Sequence, residues 1–330
     1  MTHKKLTDAQ YRQFFDEGYV MVPDLIAPEE LEPLRDEIAA LIATTAQRLF
    51  SEGKIADLHA DEPFETRLTR LLSDHPELQS EYFRSIEGKG GGGHVGSAIF
   101  ALLTHPRLLD AMEDLVGEEI VASSVYRIRP KVPHLGRGIV PWHQDSGYIS
   151  PHCDTELIVT VWIPLVDATA ENGCLQVLPQ AHRGGVARHH TDGNAGFLVI
   201  NDDDLPLPSG EAVTVPVRRG GVLLMTNLTP HCSTPNTTDT IRWSVDLRYQ
   251  SATVPSNVAI PEAEVTPDNP EIQIACYAPE GDFVVRSTAH PEAAAPYEDF
   301  VRRRDAFERV PIPGPNRGWK PVSVRVEAVP

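Results

Sequence analysis

Ile241-Arg242-Trp243-Ser244-Val245-Asp246-Leu247-Arg248-Tyr249 alternates apolar and polar residues without a break. Successive side chains of an extended strand point to opposite faces. Ile241, Trp243, Val245, Leu247 and Tyr249 therefore share one face, and Arg242, Ser244, Asp246 and Arg248 the other. The apolar face needs a neighbouring layer, while a charged face inside a sheet implies a wet, polar cavity. The stretch 157–163 behaves alike, with Leu157, Val159, Val161 and Ile163 opposed to Ile158, Thr160 and Trp162. From about residue 120 short strands follow one another between turn signals such as Asn172-Gly173 and Gly220-Gly221, which predicts a β-sandwich or barrel.

Upstream the pattern is mainly helical. Thr7 and Gln10 form a capping box ahead of Tyr11, Phe14 and Phe15, Gly18 ends that helix, and Tyr19-Val20-Met21-Val22 reads as a strand. Leu31, Leu34, Ile38, Leu41, Ile42 and Leu49 recur at helical spacing, with Pro33 in the first turn. A third helix starts near Thr104, with Pro106 in its first turn and Gly117 beyond its end. The glycine run at 88–96 lacks the Gly-Lys-Ser/Thr of a phosphate loop and reads as a mobile loop. Residues 251–330 read as irregular wrapping with one helix near 296–308, and Arg302-Arg303-Arg304 as a solvated helix face.

Chemistry concentrates in Pro141-Trp142-His143-Gln144-Asp145. On a strand His143 and Asp145 face one way and Gln144 the other, so both can grip one metal ion. His231 supplies a second imidazole, and Arg242 follows it by eleven positions. Two imidazoles and one carboxylate leave open coordination positions, the arrangement of non-haem Fe(II) oxygenases. Arg242 adds a permanently charged fork suited to a cosubstrate carboxylate.

Composition sets limits. At 330 residues and 41% hydrophobic content the chain has ample material for a core, and we expect a single domain over 1–330. Its parts are a helical region at 1–120, a β core at 121–250 and an extension at 251–330. A net charge of −18 disfavours nucleic acid and anionic membranes as partners. No segment approaches the roughly 18 apolar residues of a membrane span. The run Met1-Thr2-His3-Lys4-Lys5-Leu6 has no apolar stretch after it, so it does not read as a signal peptide. Cys153, Cys174, Cys232 and Cys276 form no C-x-x-C pair and read as reduced, buried thiols, with the cytoplasm as the expected compartment. Oligomeric state is not legible.

The chain resembles the phytanoyl-CoA dioxygenase family of Fe(II)/2-oxoglutarate oxygenases. The matching blocks are residues 141–145, Glu171 to His182, the His231 to Arg242 segment, and the opening from Leu6-Thr7 through Gly18-Tyr19-Val20. Gln180 departs from a common glycine, and Gly221 from the aspartate that usually follows Gly220. The resemblance implies a double-stranded β-helix, a jelly roll as in cupins, with the N-terminal helices on its outer face. It implies that His143, Asp145 and His231 bind Fe(II). Arg242 and Ser233 would hold the distal carboxylate of 2-oxoglutarate, with Trp162 lining the cavity beside it. A basic residue on the strand before His143 also contacts 2-oxoglutarate in this family. Arg127, Arg129 and Lys131 all qualify, and Arg129 is chosen. Members that halogenate lack the carboxylate, so Asp145 directs the expectation to hydroxylation of a small organic metabolite, using Fe(II), 2-oxoglutarate and O2.

Other polar residues have blander readings. His182 braces its loop. His152, His189 and His190 lie near the cavity mouth or in solvent, and Asp246 and Arg248 pair with each other. Tyr148 and Arg137 are candidates for substrate contact, and Arg183 and Arg188 with Arg137 for an anion site. Two rival functions share the fold: a redox-silent cupin isomerase or hydrolase, and a non-catalytic 2-oxoglutarate sensor. Arg242 and Ser233 oppose the first, the open triad the second.

Overall fold

A computed structural model describes residues 5–87, 93–123, 126–133, 139–149, 151–191, 197–205, 211–254, 282–309 and 319–321. Helix α1 (Asp8–Glu17) carries the Thr7/Gln10 capping box at its start and Gly18 in the left-handed conformation at its end. Strand β1 (Tyr19–Val22) follows, then α2 (Glu32–Ser51), with Pro33 in its first turn. Three short helices come next: α3 (Arg67–Asp74), α4 (Gln79–Glu87) and α5 (Ser97–Leu103). Sequence periodicity did not resolve these. The expected third helix is α6 (Pro106–Val116), which is followed by Gly117.

The strands are β2 (Ile120–Ala122), β3 (Arg127–Lys131), β4 (Ile158–Pro164), β5 (Leu175–Val177), β6 (His190–Thr191), β7 (Leu198–Val199), β8 (Val213–Val215), β9 (Val222–Thr226), β10 (His231–Ser233) and β11 (Arg242–Ser251). The chain then adds β12 (Phe283–Arg286), α7 (Tyr297–Arg309) and β13 (Lys320–Pro321). A seven-stranded sheet runs β1-β9-β4-β11-β2-β12, with β3 also on β11. A three-stranded sheet runs β10-β5-β8. Together they form the cupin-like jelly roll, without a closed barrel.

The alternation in β11 and β4 sorts two cores. Trp243, Val245, Leu247, Tyr249, Val159, Val161 and Ile163 pack with Leu34, Ile38, Leu108 and Met112 of the helices. Trp243 is fully buried and stacks on Phe64 at 5.2 Å. Between the sheets, Trp162, Leu223 and Met225 meet Leu175, Val177 and Val215. No helix among the described residues is long and apolar enough to cross a membrane.

The arginine run on α7 corrects an expectation. Arg302 is exposed, but Arg304 is fully buried with its guanidinium 5.1 Å from the Tyr126 ring centre. Arg304 stands one turn after the buried Phe300, so it shares the packed face of the helix. The glycine run falls largely outside the described residues.

Candidate metal and cosubstrate site

His143 enters the site by pairing with β10. Its N–H donates to the His231 carbonyl at 3.0 Å, and the His231 N–H returns the bond at 2.9 Å. The two imidazoles are thus side by side, with ring centres 4.2 Å apart. Each Nδ1 meets the carbonyl two residues earlier, His143 that of Pro141 at 2.9 Å and His231 that of Thr229 at 3.0 Å. A carbonyl only accepts, so both rings carry the proton on Nδ1 and leave the Nε2 lone pair for a metal. Burial, then His231, pushes the His143 pKa well below its ordinary value, which keeps the ring neutral.

Asp145 completes the cluster. His143, Asp145 and His231 are all buried, with ligand atoms within 4.8 Å of one another. Burial alone would raise the Asp145 pKa, but Arg248, His231 and His143 hold it far below the usual carboxylate range. Asp145 Oδ2 accepts from Thr160 Oγ at 2.5 Å and Arg248 Nε at 3.0 Å, whereas Oδ1 lies 3.8 Å from His143 Nε2. Two imidazole nitrogens and an ionised carboxylate are the donors a first-row divalent ion takes, so the residues fit Fe(II).

Gln144, between the two candidate ligands, is fully buried and points away from the cluster as expected. Its side-chain amide donates to the Gly185 and Leu228 carbonyls at 2.8 and 2.7 Å, and its Oε1 accepts the Ala187 N–H at 2.7 Å. Its own N–H donates to His189 Nε2 at 3.0 Å. A Cβ on Gly147 would lie 2.6 Å from that nitrogen, so the metal loop needs glycine here to admit the His189 ring. Trp319 covers the same loop, donating to the Gly147 carbonyl at 2.9 Å.

A cavity opens onto the cluster, lined by Arg129, Trp162, Ser233, Arg242, Asp246 and Arg248 together with the three candidate ligands. Arg242 is 2% exposed, donates to Ser244 Oγ at 2.5 Å, lies 5.3 Å from the Trp162 ring centre, and leaves Nε without a partner. Burial, then Arg129, brings its pKa down to about 10. Lys131 stands directly opposite Arg242 in the β3–β11 register. Its Nζ donates to Ser233 Oγ at 2.7 Å and to the Thr234 carbonyl. Gly173, at φ +90°, makes room for it, since a Cβ there would come within 2.5 Å of Lys131 Cδ.

The chosen strand residue is placed differently from its neighbour. Arg129 lines the cavity but spends Nε and Nη2 on Asp246 at 2.7 and 3.1 Å, while Lys131 bonds Ser233 and stands opposite Arg242 in the register. The expected Asp246–Arg248 pair is loose, at 3.7 Å, because Arg129 claims Asp246 and Arg248 turns to Asp145. His189 and His190 are buried, not at the mouth: His189 braces the metal loop and His190 pairs with Asp204 at 2.8 Å. The polar residues around these two adjacent buried histidines hid their burial. Tyr148 packs edge-on against His143 at 5.8 Å and accepts the Leu198 N–H. His182 braces its loop on the Phe15 carbonyl at 3.1 Å. Arg183 sits on Asp16, Arg188 is exposed, and Arg137 lies outside the described residues. Cys153, Cys174 and Cys232 are buried free thiols, and burial pushes the Cys232 pKa up to about 12. Gln180 adopts φ +63° in the place where the family favours glycine. Thr160 and His189 carry site geometry that no motif marked.

Open positions on one ion, framed by this jelly roll, are what a non-haem Fe(II)/2-oxoglutarate oxygenase presents. The profile described as phytanoyl-CoA dioxygenase (PhyH) matches residues 14–244, and the chain belongs to that family. Phytanoyl-CoA dioxygenase domain-containing protein 1 of Danio rerio is 26% identical over 265 residues, covering 72% of this chain and 87% of that protein. Methylphosphonate hydroxylase of Gimesia maris is 26% identical over 249 residues, covering 74% and 81%. The solved non-heme monooxygenase ThoJ matches with a TM-score of 0.52 at 19% identity, over 90% of this chain and 96% of that one, a likeness of fold. The protein is an Fe(II)/2-oxoglutarate-dependent dioxygenase.

Proposed function

We propose that this dioxygenase hydroxylates a C–H bond of a small organic metabolite, with iron held by His143, Asp145 and His231. The observation that carries the reading is Arg242, a buried guanidinium with no carboxylate partner among the described residues, in the same cavity as the triad. A buried charge is costly unless a counter-charge completes it. The distal carboxylate of 2-oxoglutarate is that counter-charge, received by Arg242, Lys131 and Ser233. Trp162 forms the wall beside it.

Iron with 2-oxoglutarate supplies activation of O2, with release of succinate and CO2. The residues of the chain do the rest. His143 and His231 present their Nε2 atoms, Asp145 keeps its charge, and Gln144 and His189 fix the loop that carries two of the three ligands. Asp145 in the carboxylate position supports hydroxylation over halogenation. Arg129 and Asp246 line the same cavity further along β3 and β11, where we place the primary substrate.

The test is succinate formation from 2-oxoglutarate under Fe(II), O2 and a panel of small organic acids, phosphonates and alcohols. Asp145→Ala and His231→Ala should abolish coupled succinate release with the fold intact; turnover retained in either would refute the assignment.

A further inference from the structure

Among the described residues, hydrogen bonds reach Asp145 on one oxygen, Oδ2. Besides the Thr160 and Arg248 Nε bonds to Oδ2, Arg248 Nη2 stands 3.0 Å from the same atom. Arg248 and Thr160 are direct cross-strand partners on β11 and β4, so both side chains rise from the same patch of the large sheet. On its other side Arg248 has Asp246, itself held by the fork of Arg129. Acid and base alternate along Asp145, Arg248, Asp246 and Arg129, which fixes the guanidinium from two directions.

We propose that Arg248 is a positioning residue for the metal centre: with Thr160 it occupies Oδ2, so that Asp145 offers the ion a single oxygen. The inference rests on the iron-binding role of the triad. A carboxylate binds a divalent ion through one oxygen or both. Chelation by both would fill a position that the bound cosubstrate or O2 needs. Arg248 does not strengthen metal binding, because its charge repels the ion and competes for the carboxylate. Its contribution is orientation, which a planar, permanently charged fork gives at low rotamer cost.

The experiment compares metal-free wild type, Arg248→Met and Thr160→Val. Each is titrated anaerobically with Co(II), and each Fe(II) complex is then titrated with 2-oxoglutarate while the metal-to-ligand charge-transfer absorbance is followed. Thermal melts of the metal-free proteins accompany both. The expected result is Co(II) affinity equal to or tighter than wild type in Arg248→Met, with a 2-oxoglutarate requirement about tenfold to a hundredfold higher, the span typical of lost outer-shell contacts. Thr160→Val, which keeps the volume, should move both readouts in the same direction by less. Unchanged 2-oxoglutarate affinity in Arg248→Met overturns the proposal. Parallel loss of metal affinity, cosubstrate affinity and melting temperature also overturns it, marking a structural ion pair instead. Wild type that binds no divalent ion would overturn the iron site, and this role with it.

Discussion

Lys131 and Arg242 are direct cross-strand partners, so two buried basic side chains rise from the same face of the sheet, neither paired with a carboxylate among the described residues. Like charges placed opposite one another destabilise a sheet. Burial, then Arg242, brings the Lys131 pKa down to about 7, so in the free protein the ammonium loses its proton near neutrality. A dianionic cosubstrate reverses that balance by favouring the charged form.

Cosubstrate binding should therefore take up a proton above pH 7. Affinity for 2-oxoglutarate is expected to be flat below about pH 7 and to fall by up to about tenfold per pH unit above it. Lys131→Met should weaken binding and remove the dependence. Stability moves the other way: between about 7 and the ordinary lysine value near 10.4 the unfolded chain binds more protons, so the metal-free protein should gain stability as pH rises. Calorimetric titrations at pH 6.5, 7.5 and 8.5 check the first part, and urea melts the second. A pH-independent affinity in wild type would remove Lys131 from the cosubstrate site.

Gln144 gives a prediction separate from ligand chemistry. Gln144→Ala leaves the Ala187 N–H and the Gly185 and Leu228 carbonyls without partners. An unsatisfied buried group costs about 1–3 kcal/mol, so with three left unpaired urea unfolding should show a loss of at least about 3 kcal/mol. Metal affinity should fall by about tenfold, since the loop carrying His143 and Asp145 loosens. Unchanged stability and metal affinity would contradict the clamp.

Trp243 tests the division between the two faces of β11. Trp243→Ala removes a fully buried ring stacked on Phe64, and should cost about 3–5 kcal/mol of stability. Its side chain lies on the helix-packed face, away from Arg242 and Asp246. Fe(II) and 2-oxoglutarate affinities of the folded protein should stay within about threefold of wild type, a span of under about 1 kcal/mol. A large loss of either would show that the faces are not independent.

Much of this was legible along the chain because period-two alternation reports directly on burial. Residues 241–249 and 158–163 sort to the two faces as their pattern implies, and the spacing of His143, Asp145, His231 and Arg242 marks the candidate site. Long-range pairing is what alternation does not encode. Arg127, Arg129 and Lys131 share one face, and only the register against β11 places Lys131 opposite Arg242. Arg248 similarly looked like a partner for Asp246, until the fold brought Asp145 closer. His189 and Arg304 carry polar names at buried positions, and their partners are far away in the chain. Short helices such as α3 and α5 span too few turns for periodicity to separate them from loop.

The most direct test of the central claim is an anaerobic absorbance titration of metal-free protein with Fe(II) and then 2-oxoglutarate. The account predicts a visible metal-to-ligand charge-transfer band that saturates at one equivalent of each and is lost in His143→Ala. A band that survives in His143→Ala, or no band despite tight Zn(II) binding by wild type, would contradict it.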